Sequence, residues 1–494
     1  MKLKPTKEQQ TIIDVAKQSN HIVIEAFAGA AKTSTCIMIA EAVVKPSLYV
    51  AFNKSIADEA ARRFPSHVIC QTMHSLAYRS IIKFPTSPLG KKLQGFYVYD
   101  EVKCSAMPKE AEFAFKGKVV EAIKLWCQSA SHNLVKFLTE GEQPLAKEDS
   151  FLLKAIVQYW NDQIDPSSAV HMTHDTYLKM FQLSKPIFDW EVIYLDEAQD
   201  SNPVTLDIVM RQRQAQIIIV GDKYQAIYEW RGAVNAIEAV PEHFKRMFLT
   251  ESWRFTSTIA EMATKLTALA GNTKEIIGNG TENKDSSKET TAILVRRNAT
   301  IIEYLLRFAE QGEKVEVLAD MQDLFKKLYH IAALAAGERP KYPAMELLQF
   351  KDYAALQEAA GYKVKEGKWT FDSEASQADI KSLVDLTNKF AKSGGVHRNI
   401  TLCKSAIADK VDRVSTTIAT IHKSKGLEYD NVTLAEDTFV IKEGQTIKEA
   451  LETNQTLNLL YVGITRCKSN LSLPIIIEEI INGSIPLEEF GEIK

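Results

Sequence analysis

Two short stretches of the sequence carry residue types that could bind and hydrolyse a nucleotide. The first is AFAGAAKTST, in which a small-residue turn leads into Lys32 and Thr33. Phosphate-binding loops have this form, because backbone N–H groups at the start of a helix hold the phosphates. Lys32 would reach the β- and γ-phosphates, and Thr33 would ligate Mg²⁺. The alternative is an ordinary tight turn between a strand and a helix, since Ala31 stands where such loops usually have glycine.

The second stretch is VIYLDEAQD, which places Asp196 and Glu197 directly after an apolar run. Asp196 is suited to holding Mg²⁺, and Glu197 is suited to orienting or deprotonating an attacking water. Adjacent acids after a strand are often only solvated surface. That alternative weakens when the same sheet also carries a phosphate-binding loop.

The pattern of apolar runs predicts how these residues are positioned. HIVIEA, SLYVAF, VIYL and AQIIIVG are short apolar runs between helical stretches, which is typical of parallel sheets covered by helices on both faces. Ligands of such sheets bind beyond the carboxyl ends of the strands. The runs TTAILV, EKVEVLAD, VSTTIATIH and NLLYVGITRCKSNLSL predict a second α/β unit.

Composition excludes several classes of protein. The chain has 494 residues with 45% hydrophobic and 25% charged residues, which is ordinary for a globular protein of several domains. The net charge of -3 gives no global sign of a nucleic-acid partner, although local basic grooves remain compatible with one. The first residues lack an apolar run and the six cysteines form no CxxC pair, so we expect no signal peptide, no membrane span and a cytoplasmic location with reduced thiols.

Further motifs resemble those of one enzyme family. The stretches LDEAQD, VGDKYQAIYEWRGA, ATIHKSKGLEYDNV and LLYVGITRCK are similar, in order and spacing, to motifs II, III, V and VI of the superfamily 1A DNA helicases of the UvrD/Rep/PcrA type. The resemblance runs from Gln9 to about Arg466. AFAGAAKTST, VAFNKSIADEA and TMHSLAY are most similar to the branch that contains the F-box DNA helicase and short bacterial or phage relatives.

The resemblance implies an α/β fold with two RecA-like P-loop NTPase core domains, each with a parallel sheet and a mainly helical insertion. The expected domain 1A covers residues 1–88 and 186–250, with insertion 1B at 89–185. The expected domain 2A covers residues 251–320 and 406–494, with the small insertion 2B at 321–405.

The resemblance also implies the residues of an ATP site. Its catalytic group would comprise Lys32, Glu197, Gln225, Arg254 and Arg466, in which Gln225 senses the γ-phosphate and the two arginines stabilise its charge. The remaining ATP contacts would come from Gln9 on adenine, Ala28, Gly29, Ala30, Ala31, Thr33 and Ser34 around the phosphates, Trp253 stacked on adenine, and Glu428 on the ribose. Thr33 and Asp196 would hold Mg²⁺. Read without the resemblance, Gln9 is simply a polar residue near a helix start.

Single-stranded DNA requires aromatic platforms and groups that bind the backbone. The positions that match strand-contacting residues of the family are Phe52, Asn53, His74, Tyr228, Trp230, Arg231 and His422. Trp230 would stack on a base, although a buried core aromatic is the commoner fate of tryptophan. His422 lies beside Lys423 and Lys425, which favours a loop that faces phosphate.

The expected function is therefore an ATP- and Mg²⁺-dependent 3′-to-5′ translocase and helicase that acts on single-stranded and duplex-junction DNA in repair, recombination or replication. ATP would bind between the two core domains. One alternative is an ATP-gated DNA-binding or protein-displacing module whose hydrolysis is weakened by Ala31. Another is an accessory subunit with protein partners in a repair, recombination or defence complex.

Overall fold

The structure is a computed structural model in which two compact units, Met1–Thr250 and Glu251–Lys494, divide the chain. The residues it describes are 4–83, 86–92, 109–141, 144–146, 149–228, 235–281, 289–341, 343–348, 350–365, 368–371, 377–409, 414–442 and 444–489. Within these ranges no helix is both long and apolar enough to cross a membrane.

The first unit is built on a six-stranded parallel sheet. Its strands are β1 (Ile22–Ala26), β2 (Ser47–Ala51), β3 (Val68–Thr72), β4 (Val192–Leu195), β5 (Gln216–Gly221) and β6 (Lys245–Leu249). Their order across the sheet is β3-β2-β4-β5-β1-β6, and every neighbouring pair is parallel. The predicted parallel sheet is confirmed, and the structure adds β3 and β6 at its two edges.

Helices cover both faces of this sheet and extend from it. They are α1 (Lys7–Lys17), α2 (Lys32–Ala42), α3 (Lys54–Arg63), α4 (Met73–Ile81), α5 (Pro88–Lys91), α6 (Lys109–Gln128), α7 (Leu134–Glu140), α8 (Ser150–Ile164), α9 (His174–Leu183) and α10 (Pro203–Met210). Strand β1 shows why the sheet is buried on both sides. Ile22 and Ile24 pack with Ile12 of α1 on one face, and Val23 packs with Ile193 on the other. A near-continuous apolar run is the sequence form of such a strand.

The helical part of the first unit encloses a lysine. Lys179 of α9 is fully buried, and its Nζ donates hydrogen bonds to the carbonyl oxygens of Ser129 and Ser131, at 2.8 and 2.5 Å. The same ammonium group lies 3.8 Å from the ring centre of Trp126. Burial lowers the pKa of Lys179 to about 7, because removal from water penalises the charged form.

The second unit has its own parallel sheet. Its strands are β7 (Glu251–Ser252), β8 (Ile277–Gly278), β9 (Thr291–Val295), β10 (Glu316–Leu318), β11 (Tyr362–Lys365), β12 (Lys368–Phe371), β13 (Thr416–Thr420), β14 (Tyr429–Leu434) and β15 (Cys467–Ser472). Five of them form a parallel sheet in the order β10-β13-β9-β14-β15. Strands β7 and β8 form a short parallel pair, and β11 and β12 form an antiparallel pair.

The described residues of the second unit also form ten helices. They are α11 (Ser257–Ala268), α12 (Asn298–Gln311), α13 (Met321–Ala335), α14 (Tyr353–Ala359), α15 (Ala378–Lys392), α16 (Val396–Ala406), α17 (Ile421–Ser424), α18 (Ile447–Glu452), α19 (Thr456–Ile464) and α20 (Ile475–Ile481). The apolar run NLLYVGITRCKSNLSL consists of the end of α19 followed by β15. The described residues between positions 321 and 406 are mostly helical, and their buried apolar side chains pack into one core with those of α12. The division of each unit into a core and an insertion stays a prediction.

Candidate active site

The loop between β1 and α2 has the shape of a phosphate-binding turn. Gly29 and Ala31 both have positive φ, at 73° and 56°, so two residues of this short loop have a φ that L-residues rarely adopt. The loop is fixed by the N–H of Phe27, which donates to the carbonyl of Leu249 at 3.1 Å, and by that of Ala30, which donates to the carbonyl of Phe27 at 3.1 Å. Helix α2 then begins at Lys32.

Ala31 adopts the conformation that glycine usually supplies. Its φ of 56° and ψ of 37° lie in the left-handed region, where a Cβ atom crowds the following carbonyl. Ala31 also stands at the N-cap of α2, and its methyl group offers no acceptor to the first-turn N–H groups. The loop therefore keeps its shape at the cost of local strain in the backbone.

Lys32 faces the second acid of the DEAQD stretch. Its Nζ lies 3.3 Å from Glu197 Oε1, and both side chains are largely buried. Glu197 follows β4 in the left-handed region, with φ of 48°, which turns its side chain toward the loop. The structure thus brings together the predicted phosphate-binding lysine and the predicted base.

Thr33 and Asp196 form a set of oxygen donors. Thr33 Oγ1 donates to Asp196 Oδ2 at 3.3 Å, and the backbone N–H of Glu197 donates to Asp196 Oδ1 at 2.8 Å. Tyr49 of β2 also donates from its hydroxyl group to Asp196 Oδ2. Burial raises the pKa of Asp196, and the adjacent Glu197 carboxylate raises it further. Mg²⁺ fits this site, because it prefers oxygen ligands and would offset the charge of two adjacent buried acids.

Gln199, which is not among the predicted site residues, joins Glu197 to the end of β5. Its Nε2 donates to Glu197 Oε2 at 2.5 Å, and its Oε1 accepts from the N–H of Asp222 at 3.1 Å. Asp222 Oδ2 in turn accepts from Nε2 of Gln225 at 2.8 Å, which links the predicted γ-phosphate sensor to the predicted base. A Cβ atom on Gly221 would lie 2.2 Å from Gln199 Oε1, so this approach requires glycine. The signal was available as an amide two residues after Glu197.

Gln9 is held at the start of α1 in a capping box. Its backbone N–H donates to Thr6 Oγ1 at 3.2 Å, and its side-chain oxygen accepts from the N–H of Thr6 at 3.0 Å. Its Nε2 donates to Thr35 Oγ1 of α2 at 3.0 Å. These contacts match the plain interpretation of Gln9 as a helix-start residue and also fix it beside the helix that follows the loop. Its contact with adenine stays a prediction.

Three other predicted phosphate contacts lie in the loop or in the first turn of α2. Ala28 and Ala30 are buried, and Ser34 Oγ accepts a hydrogen bond from Arg63 Nη2 at 3.1 Å. Their contribution to phosphate binding stays a prediction.

Two of the predicted DNA-contacting residues form an aromatic pair. The rings of Phe52 and Tyr228 are stacked, with centroids 6.3 Å apart and planes 11° apart, and 47% of the Phe52 surface is exposed. Asn53 caps α3 by accepting from the N–H of Ile56 at 2.9 Å. His74 Nε2 lies 3.4 Å from Asp175 Oδ1, so it has a partner within the unit. Trp230 and Arg231 lie outside the described residues.

The second unit gathers several other predicted ATP contacts. Arg254 Nε donates to Glu428 Oε1 at 2.7 Å, and its Nη1 donates to the carbonyl oxygen of Thr465 at 3.3 Å. Trp253 is 55% exposed and so presents a free aromatic surface. The predicted ribose ligand and one predicted arginine are therefore paired with each other.

Arg466 is buried within the second unit. It is 1% exposed, and its guanidinium group donates to the carbonyl oxygens of Val462 at 3.0 Å and Leu427 at 3.2 Å. His422 lies on the short helix α17, half-buried, with Lys423 exposed beside it. The roles of Arg466 and His422 stay predictions.

A parallel sheet with this loop, the Lys32–Glu197 pair and the Thr33–Asp196 pair defines a P-loop nucleotide-binding unit of the helicase type. Residues 6–245 match the family model of the UvrD/REP helicase N-terminal domain, and residues 371–478 match that of the UvrD-like helicase C-terminal domain. The chain belongs to the UvrD-like helicase family, and its two α/β units are the RecA-like domains of that family.

Individual relatives agree with this assignment. F-box DNA helicase 1 of Gallus gallus is 29% identical over 520 residues, an alignment that covers 97% of this chain and 50% of the relative. F-box DNA helicase protein 1 of Schizosaccharomyces pombe is 28% identical over 516 residues, which covers 95% of this chain and 57% of the relative. The probable DNA helicase II homolog of Mycoplasma genitalium is 29% identical over 82 residues. The chain thus spans about half the length of the first two relatives.

Proposed function

We propose that this chain is an ATP- and Mg²⁺-dependent motor that moves 3′-to-5′ along single-stranded DNA and unwinds duplex DNA at junctions. The observation that carries the proposal is the 3.3 Å ion pair between Lys32 and Glu197, beside the contact between Thr33 and Asp196. This arrangement supplies both a phosphate-binding cation and a base. Relatives named as DNA helicases supply the expected substrate.

Phosphate binding would change the partner of Lys32. Without nucleotide, the ammonium group of Lys32 neutralises Glu197 at 3.3 Å. A bound phosphate carries more negative charge than a carboxylate and would draw Lys32 toward itself. Glu197 then loses its cation and is left to accept a proton from water. Binding of the substrate would in this way prepare the base.

Glu197 would act as the base with its orientation set by Gln199. The hydrogen bond from Gln199 Nε2 holds Glu197 Oε2, and Oε1, which pairs with Lys32 without nucleotide, would turn to the water once Lys32 binds phosphate. Mg²⁺, when bound, would neutralise charge on the phosphates, and Thr33 and Asp196 would hold it. Gln225 is connected to the same hydrogen-bond network through Asp222. A contact between Gln225 and phosphate would therefore alter the hydrogen bonds that orient Glu197.

The other proposed ATP contacts rest on the family resemblance. Arg254 and Arg466 would stabilise charge on the γ-phosphate, Trp253 would stack on adenine, and Glu428 would bind the ribose. For Arg254 and Glu428 this requires their 2.7 Å ion pair to open when the nucleotide binds. Gln9 would read the adenine edge while its capping contacts hold it in place.

The DNA strand would use aromatic platforms on the first unit. Phe52 and Tyr228 offer a stacked pair of rings with an exposed face, which suits stacking on bases without regard to sequence. Trp230, Arg231, Asn53 and His74 would add contacts in the first unit, and His422 would do so in the second. The work of the motor would belong to DNA repair, recombination or replication in the cytoplasm, with protein partners that co-purification would identify.

The test is ATP turnover with and without single-stranded DNA, on the wild-type chain and on Lys32→Ala. We expect DNA to stimulate turnover by the wild type, and Lys32→Ala to abolish turnover while its circular dichroism spectrum stays unchanged. Undiminished turnover by Lys32→Ala would remove the chain from this class of enzyme. Partial duplexes with either a 3′ or a 5′ single-stranded tail then test the polarity of movement. Unwinding of only the 5′-tailed duplex would show that the proposed 3′-to-5′ polarity is wrong.

One observation favours the alternative of an ATP-gated DNA-binding module with weakened hydrolysis. Ala31 is strained at the position that precedes Lys32, with φ of 56°. If strain disrupts the loop, ATP would alter DNA affinity without measurable turnover. Tight ATP-dependent DNA binding together with DNA-insensitive, negligible hydrolysis would favour this alternative over the motor.

A further inference from the structure

The buried tyrosine Tyr49 donates its hydroxyl hydrogen to one of the two residues proposed to hold Mg²⁺. It lies in the middle of β2 with none of its surface exposed, and its ring packs against Phe64 with centroids 4.6 Å apart. The hydroxyl group reaches Asp196 Oδ2, the same oxygen that accepts from Thr33. A buried hydroxyl group requires a hydrogen-bond partner, and here that partner is the acid at the end of β4.

The sheet fixes this contact. Strands β2 and β4 are parallel neighbours, and the N–H of Asp196 donates to the carbonyl of Val50 at 3.1 Å, one residue beyond Tyr49. The backbone of Asp196 is therefore tied to the same strand that carries Tyr49. A phenylalanine would fill the same space as Tyr49, so packing alone does not account for the hydroxyl group.

We propose that Tyr49 is a positioning residue for the metal site: its hydroxyl group holds the Asp196 carboxylate facing Thr33. The inference rests on the proposed ATP- and Mg²⁺-dependent function and adds to it a residue that is not among the predicted site residues. Hydrogen bonds that orient a metal-binding carboxylate from behind typically change metal affinity about 10- to 100-fold when removed. Without the Tyr49 hydroxyl, the N–H of Glu197 still holds Asp196 Oδ1, but Oδ2 keeps only Thr33 as a donor and is less firmly oriented.

The chain offers a matched control at the same level of the sheet. Tyr194 of β4 lies directly opposite Tyr49 in the strand register and is equally buried. Its hydroxyl group has no hydrogen-bond partner among the residues that the structure describes. Tyr194→Phe therefore removes the same atom from the same layer of the core without touching Asp196.

The experiment compares the wild type, Tyr49→Phe and Tyr194→Phe in the binding of fluorescent ADP as Mg²⁺ is titrated. We expect the half-saturating Mg²⁺ concentration to rise about tenfold in Tyr49→Phe and to stay within about twofold of the wild type in Tyr194→Phe. Binding of ADP without Mg²⁺ should be equal in all three proteins. High Mg²⁺ should restore the ATP turnover of Tyr49→Phe, which a purely structural defect would not allow.

Three results would overturn the inference. The first is that Tyr49→Phe needs the same Mg²⁺ concentration as the wild type to bind ADP, even if its melting temperature falls. The hydroxyl group would then contribute only to the stability of the fold. The second is an equal rise of the half-saturating Mg²⁺ concentration in Tyr49→Phe and Tyr194→Phe, because the rise would then come from any loss of a hydroxyl group in this layer of the core. If ADP binding by the wild type does not depend on Mg²⁺, both this inference and the proposed function are overturned. The other two results leave the proposed function intact.

Discussion

Replacing Ala31 with glycine should stabilise the protein, which is the reverse of the usual effect of alanine-to-glycine changes. The reason is the left-handed backbone of Ala31, with φ of 56° and ψ of 37°. An L-residue with a Cβ atom in this region costs about 1–2 kcal/mol relative to the right-handed region. Glycine carries no Cβ atom and removes this cost.

The gain is reduced by the greater freedom of glycine in the unfolded chain. That freedom costs about 0.5–1 kcal/mol on folding. The net stabilisation expected from Ala31→Gly is therefore about 0.5–1 kcal/mol. For a unit the size of Met1–Thr250, this corresponds to a rise in the melting temperature of roughly 1–4 °C.

Ala30 provides the matched control, because it lies one residue earlier in the same loop, is buried, and has a backbone outside the left-handed region. Ala30→Gly removes the same methyl group and should lower stability by about 1 kcal/mol. Calorimetric melting of the two variants and the wild type measures both signs at once. Turnover by Ala31→Gly should equal or exceed that of the wild type. A lower melting temperature for Ala31→Gly, or shifts of the same sign in both variants, would refute the strain argument.

Other changes test the remaining parts of the site and the fold. Glu197→Gln should keep ATP and DNA binding but lower turnover by at least about 100-fold, since it removes the base and keeps the shape; loss of ATP binding would make Glu197 structural. Phe52→Ala should weaken single-stranded DNA binding about 5- to 150-fold, equivalent to one lost stacking platform of about 1–3 kcal/mol, and should leave DNA-free turnover unchanged. A parallel loss of melting temperature and DNA-free turnover would count against stacking. The pKa of Lys179 falls to about 7 on folding, so the unfolded chain binds more protons than the folded chain between pH 7 and about 10. The contribution of Lys179 to the unfolding free energy should therefore rise with pH in this range, by up to about 1.4 kcal/mol per pH unit. Denaturant unfolding at pH 7.5 and 9 should show this rise in the wild type and lack it in Lys179→Met; equal slopes would contradict the lowered pKa.

The phosphate loop and the acidic pair could be predicted because each depends on a short stretch of sequence. The apolar run Ile22–Ala26 predicts a buried strand, and the small residues after it predict a turn before Lys32. Asp196 and Glu197 follow another apolar run directly. Since strands of a parallel sheet end at the same edge, the two motifs had to meet, and they do so at 3.3 Å.

The contacts that organise the site from behind could not be predicted in the same way. Tyr49 lies 147 positions from Asp196 in the chain, and only the register of β2 and β4 brings them together. The role of Gln199 likewise depends on a distant residue, Asp222, which directly follows β5. Gln9 is the reverse case: the Thr6-to-Gln9 spacing of a capping box is visible in the sequence, and its geometry was predictable.

The strand order has a consequence for how the protein is made. Strand β1, which carries the nucleotide loop, pairs only with β5 and β6 among the described strands, and neither begins before Gln216. On a ribosome, β1 leaves the exit tunnel long before its sheet partners have been synthesised. At about 5–20 residues per second, roughly 10–40 seconds pass before β5 arrives. Throughout that interval β1 and the nucleotide loop lack the neighbouring strands of their sheet. The segment of the new chain that will bind nucleotide is then exposed to chaperones and proteases.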